Sequence, residues 1–201
     1  MGILYFRLGR YKNQALIILV LLSLLLASCN APGNTGSDQD LAPFPTADLN
    51  AVGELPVTRA ELILQLAPQI FGESYQPPAA SGTVFNDLDG HWAEDLIEAF
   101  ANEGYIAGYP DGSFRPDNSI SRAEAAVFLL RAKYGPSYSP PSPMGGVFAD
   151  IDSHWAQPWI EVLAADGVLD PQTDSNFRPA DEITQREVIM WILQVFGESQ
   201  E

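Results

Sequence analysis

Ser121-Arg122-Ala123-Glu124, followed by the apolar run 125–130, is the stretch on which the reading of this 201-residue chain turns. Thr58-Arg59-Ala60-Glu61 stands 63 positions before it and Thr184-Gln185-Arg186-Glu187 63 positions after it, each again followed by apolar residues. Between the second and third copies the same offset relates longer matches. Val84-Phe85-Asn86-Asp87 answers Val147-Phe148-Ala149-Asp150, His91-Trp92-Ala93 answers His154-Trp155-Ala156, and Phe114-Arg115-Pro116 answers Phe177-Arg178-Pro179. A fixed period without insertions is the mark of one supersecondary unit used repeatedly.

A hydroxyl residue followed three positions later by glutamate is the capping-box pattern. Thr58, Ser121 and Thr184 are therefore expected at helix N-caps, with Glu61, Glu124 and Glu187 reaching back to them. This accounts for two of the four recurring positions. It leaves the arginine unexplained, because a cation in the first helical turn opposes the macrodipole by some tenths of a kcal/mol. Ahead of each closing helix the sequence predicts a front helix. In the second copy it runs from about His91 to Glu103, with Trp92, Leu96 and Phe100 on one stripe and Gly104 at a left-handed C-cap. The third copy repeats it with Trp155, Trp159, Ile160 and Leu163, ending at Gly167, with Pro158 in the first turn. Trp92 and Trp155 are thus expected in the core. Each complete unit reads as helix, turn segment, helix.

The first copy holds only the closing helix over residues 56–72, which Pro68 is expected to kink or end early. No match to its front half lies upstream. If a front helix is needed to close the set, a homodimer or another partner chain supplies it, or an apolar groove is left near Leu62 and Leu66. The complete units occupy residues 84–134 and 147–197, joined by a Pro/Gly linker over 135–146.

The N-terminus carries a different signal. Arg7, Arg10 and Lys12 precede an apolar run over 15–27 that ends in Leu26-Ala27-Ser28-Cys29. Basic residues, a short apolar stretch and small residues describe an export signal over 1–28. The run is shorter than the roughly 20 residues a membrane span needs. The tetrapeptide resembles the bacterial lipobox, and that resemblance implies acylation of Cys29, the only cysteine. Residues 29–50 then read as a flexible tether.

All 26 acidic residues follow Cys29 but only seven of the ten basic ones do, so the mature chain carries −19. That balance excludes nucleic acid as a partner. No cofactor motif and no zinc-ligand spacing is present. Asp170, Asp174 and Asn176 lack the glycine and terminal glutamate of a calcium loop. His91 and His154 occupy equivalent repeat positions, which assigns them to capping or packing rather than catalysis, and the chain is expected not to be an enzyme.

Phe-x-Asp, His-Trp-Ala, Gly108-Tyr109-Pro110-Asp111-Gly112-Ser113-Phe114-Arg115-Pro116 and Ile120-Ser121-Arg122-Ala123-Glu124 together resemble the S-layer homology (SLH) domain. The resemblance is dense over 85–131, holds at both ends of 148–194, and covers only the closing helix over 56–71. It implies a mainly α fold, a pseudo-threefold module of helix–turn–helix units with short irregular connections. It also implies attachment to cell-wall polysaccharide, pyruvylated or peptidoglycan-linked, in grooves between units, on a lipid-anchored protein of the cell envelope. The ligand's acidic group would meet Arg59 and Arg122, assisted by helix N-termini, with Ser121, Glu124, Asp111 and Gly112 nearby and Tyr109 stacking on sugar. In the third copy Gln185 stands at the arginine position and Arg186 one residue on, about 100° around the helix. A module that kept the fold and binds another protein instead of glycan is the competing reading.

Overall fold

The structure, a computed structural model, describes residues 53–197; the export signal, Cys29 and the tether lie outside them. Five helices have bounds among the described residues: α1 Arg59–Phe71, α2 Glu94–Asn102, α3 Arg122–Tyr134, α4 Gln157–Ala165 and α5 Gln185–Phe196. No strand is formed among these residues, only isolated bridges. None of the helices is long and apolar enough to cross a membrane.

All three closing helices α1, α3 and α5 begin with the anticipated capping box. Thr58, Ser121 and Thr184 accept from the N3 backbone N–H, while the N3 glutamate accepts from the cap residue's own N–H. Just before each cap sits a fully buried β-branched residue: Val57, Ile120 and Ile183. These three are joined head to tail. The Val57 N–H donates to Ile183 O (3.0 Å), Ile120 N–H to Val57 O (2.9 Å), and Ile183 N–H to Ile120 O (3.1 Å). A second set encloses the first: Arg59 N–H to Asn118 O, Arg122 N–H to Asp181 O, and Gln185 N–H to Leu55 O, each 2.9 Å. Each unit thus gives one bond to each neighbour, and the first unit is tied directly to the third.

The closing helices pack against one another, and each front helix packs on the closing helix of the preceding unit: α2 on α1, and α4 on α3. Flanked by α1, α4 and α5, α3 buries nearly every residue of its first nine, as its continuous Ala125–Leu130 apolar run requires. One expectation is corrected here. Leu62 and Leu66 do not line an exposed groove but are fully buried in the shared core, as are their counterparts Val188 and Ile192 on α5. Among the described residues no front helix packs on α5. There Met190 is 49% exposed, whereas Val127 at the equivalent position of α3 is 9% exposed.

Two further expectations are corrected. The α1 helix runs through Pro68 to Phe71. Proline removes one donor late in the helix, and beyond it the half-buried Phe71 packs against Tyr75, Phe100 and Tyr105. Trp92 and Trp155 are not core residues but 60% and 61% exposed. The α2 and α4 helices start at Glu94 and Gln157, after these tryptophans, so the helical stripe extrapolated through them does not reach that far.

The turn between front and closing helix explains why Phe-x-Asp and Phe-Arg-Pro recur together. Both carboxylate oxygens of Asp87 accept backbone N–H groups, from Phe114 (2.8 Å) and Arg115 (2.7 Å); Asp150 does the same for Phe177 and Arg178. Arg115 and Arg178 sit at φ 59° and 58°, left-handed values that a non-glycine residue holds only under constraint. Beneath the turn Gly108 has no substitute, since a Cβ there would lie 2.4 Å from the Phe85 ring and 2.5 Å from Ser113 O.

Candidate groove between repeat units

An open groove of about 480 Å³ separates the second and third units, within the roughly 300–1,000 Å³ of small-molecule clefts. The second unit contributes Tyr109, Ser121, Ala123 and Glu124; the third contributes His154, Trp155, Pro179 and Ala180. Its floor is the capping box of α3. Glu124 Oε2 accepts from the Ser121 N–H (3.1 Å) and hydroxyl (2.8 Å), and Oε1 accepts from Tyr109 Oη and Arg59 Nη1 (2.9 Å each). Burial pushes the Glu124 carboxyl upward, but these donors outweigh it and hold the group below the ordinary glutamate range.

Arg59 is 3% exposed and reaches this site from behind. Its Nε donates to Phe114 O (2.8 Å), and its guanidinium lies over the Tyr109 and Phe114 rings. Burial lowers its pKa, opposed by Tyr109 and Glu124. The recurring arginine therefore does have a structural role, because it ties one unit to the capping glutamate of the next. Arg122, 6% exposed, repeats this one seam on, with Nε to Phe177 O (2.7 Å) and Nη1 to Glu187. Arg59, not Arg122, is the arginine bonded from behind to the Glu124 that lines this groove with Ser121 and Tyr109.

At the third seam the arginine position holds Gln185, whose amide exchanges hydrogen bonds with Gln65 (3.2 and 3.3 Å). Arg186 points elsewhere, pairing with Glu54 at 3.1 Å. Asp111 and Gly112 build the turn and do not line the groove. Asp111 accepts from Ser113 and pairs with Arg115 at 2.8 Å, which holds its carboxyl far below the ordinary range.

Two expected ligand-binding devices are already occupied. In α1 the first three N–H groups donate to Asn118 O, Pro116 O and Thr58 Oγ1; in α3, to Asp181 O, Pro179 O and Ser121 Oγ. These helix N-termini hold no donors for an anion. The Tyr109 ring has Arg59 over it at 4.9 Å and Arg115 at 4.0 Å, and its hydroxyl is bonded to Glu124, so it is a strut rather than a stacking surface. Burial raises its pKa, with Arg59 opposing. Phe114 is fully buried.

The free aromatic surface comes from Trp155, which helical spacing alone placed in the core. Beside it, His154 Nδ1 accepts the Ala156 N–H (3.2 Å), as His91 Nδ1 accepts that of Ala93 (3.1 Å). Both histidines thus hold the backbone N–H of the residue that begins each front helix. With Nδ1 an acceptor, the neutral ring carries its proton on Nε2. The clue to the tryptophans lay in the helix starts: Ala93 and Ala156 are the N-caps, so both Trp residues precede the helices. No group of three or more potential metal ligands is assembled among the described residues.

Residues 84–126 and 147–189 each match the S-layer homology domain, so the chain carries two such domains; the segment 56–71 lies outside both matches. A cellulosome-anchoring protein of Acetivibrio thermocellus is 34% identical over 139 residues, 68% of this chain and 31% of that protein. An S-layer protein of Bacillus licheniformis is 36% identical over 108 residues, covering 53% of this chain and 12% of its own length. An amylopullulanase of Thermoanaerobacterium thermosulfurigenes is 32% identical over 108 residues, 5% of that enzyme. The chain spans less than a third of each of these relatives.

Proposed function

Taking the two S-layer homology domains as the premise, we propose that this protein is a non-catalytic envelope protein that grips cell-wall polysaccharide through the groove between its second and third units. The observation that carries this reading is the juxtaposition of the exposed Trp155 face with the satisfied Glu124–Ser121–Tyr109 floor. An indole face beside fixed polar groups suits a sugar ring. Arg59 is the positioning residue behind that floor. The closed set of bonds among Val57, Ile120 and Ile183 supports a pseudo-threefold module in which the first unit contributes only its closing helix. Acylation of Cys29 would hold the module at a membrane, and the tether would let it reach the wall.

The test is cosedimentation of the mature protein with purified sacculi, alongside Trp155→Ala. Wild-type protein is expected in the pellet and the variant mostly in the supernatant. Wild-type protein left in the supernatant would sink the proposal. Metabolic labelling with a fatty acid, lost on Cys29→Ala, tests the anchor separately. The protein-binding alternative draws on one feature, the third seam, where a Gln65–Gln185 pair replaces the ion pair and α5 carries no front helix. Capture of a defined envelope protein that survives Trp155→Ala, without sacculus binding, would favour it.

A further inference from the structure

The 63-residue offset maps the lining of the groove between units two and three, the second groove, onto equivalent residues at the seam between units one and two, the first groove, and the two sets differ where recognition would occur. His91 in the first groove corresponds to His154 in the second, Trp92 to Trp155, Glu61 to Glu124 and Asp117 to Ala180. Asp117 Oδ1 lies 3.2 Å from His91 Nε2, so the first histidine spends its outward N–H on its own chain. Ala180 offers nothing, and His154 Nε2 has no hydrogen-bond partner among the described residues. The capping carboxylates differ too. Glu124 is paired with Arg59, whereas the residue placed to pair with Glu61 is the neutral Gln185. The capping glutamate of the first seam thus lacks the arginine partner that Glu124 has, and Asp117 adds there a carboxylate that Ala180 does not supply in the second groove.

We infer that the chain has one working saccharide groove, between units two and three, in which His154 Nε2–H donates to an oxygen of the sugar, and that Asp117 silences the first groove. The inference rests on the wall-binding reading and sharpens it. A sugar bearing a carboxylate would be repelled by the Asp117–Glu61 pair in the first groove and tolerated in the second. Specificity of this kind comes from the group that rejects as much as from the one that accepts. At this position a single aspartate supplies the rejection by mimicking the ligand's acceptor.

The experiment uses the full mature chain and short oligosaccharides released from purified wall polysaccharide, followed by calorimetry. Wild-type protein is expected to bind with one site per chain. Ala180→Asp, which installs the residue native to the equivalent position, is expected to weaken binding roughly tenfold or more, the scale of one charge-assisted hydrogen bond. Asp117→Ala leaves affinity at the second groove within about twofold. Two equivalent sites per wild-type chain, or Ala180→Asp binding as tightly as wild type, would overturn this inference while leaving the wall-binding reading intact. Wild-type protein that binds no oligosaccharide overturns both. Should Ala180→Asp fold poorly, side-chain ¹⁵N spectra of the wild type serve instead. A shift of His154 Nε2 on saturation, with His91 Nε2 unmoved, upholds the inference, and the reverse pattern refutes it.

Discussion

Arg59 and Arg122 look misplaced in the sequence and are well placed in the fold. Each sits at the first helical position, where its charge is mildly unfavourable, yet its side chain crosses to the next unit and meets a carboxylate and a carbonyl. Removing a buried partner leaves the other uncompensated, typically at a cost of several kcal/mol. Arg59→Ala is therefore expected to destabilise the protein by about 3 kcal/mol, read from urea midpoints. A cost below about 0.5 kcal/mol would mean that Glu124 is held well enough by Ser121 and Tyr109 alone. A smaller strain lies at Ser153, which adopts φ 64° where the equivalent Gly90 has φ 72°. Its backbone bond from N–H to Gln157 Oε1 (3.0 Å) does not depend on the side chain. Ser153→Gly should accordingly raise stability by about 0.5–1 kcal/mol, and calorimetric melting would show it.

The front helices carry a second geometry shared by the two complete units, a buried glutamate that fastens the preceding linker. Glu98, 2% exposed, accepts from the Ser81 hydroxyl and the backbone N–H groups of Ser81, Thr83 and Val84. Glu161, 7% exposed, accepts from Met144 and Gly145 N–H and from the Gln157 amide. In both, burial pushes the carboxyl up, but the hydrogen bonds prevail and hold it below the ordinary glutamate value. A lowered folded-state pKa contributes stability that is complete above the ordinary range, near pH 4.3, and is lost as pH falls through the lowered value. Stability is expected to drop below about pH 4, with linkers 73–83 and 135–146 gaining amide exchange first. In Glu98→Gln the drop should be shallower than in wild type. Equal pH profiles for the two would show that other carboxylates govern acid unfolding.

At the scale of the molecule, ordinary solenoid repeats touch only their neighbours and tolerate loss of an end unit. Here the first unit bonds directly to the third, at Val57–Ile183 and Leu55–Gln185. A chain ending at residue 146 would leave both rings open and strip α4 and α5 from α3. It should lack a cooperative melting transition and dispersed amide resonances. A well-folded fragment would mean that the rings add little.

Much of this was legible in the sequence. The 63-residue offset, the three capping boxes and the left-handed glycines all follow from local chemistry. What was not legible is relational. Nothing local says that an arginine serves the next unit's glutamate, or that a front helix covers the previous closing helix. Likewise Trp92 fits a helical stripe by spacing alone, and only the helix start at Glu94 excludes it.

The stagger of the helices has a last consequence, for cutting and joining. Because α4 packs on α3 across the linker 135–146, the module that stays intact when moved is not the written repeat. It runs from the capping box at Ser121 to Gly167, half of one repeat and half of the next. A chimera joined in the linker would pair a borrowed front helix with a foreign closing helix, whereas one joined in the turns after Gly104 and Gly167 would carry each packed pair whole.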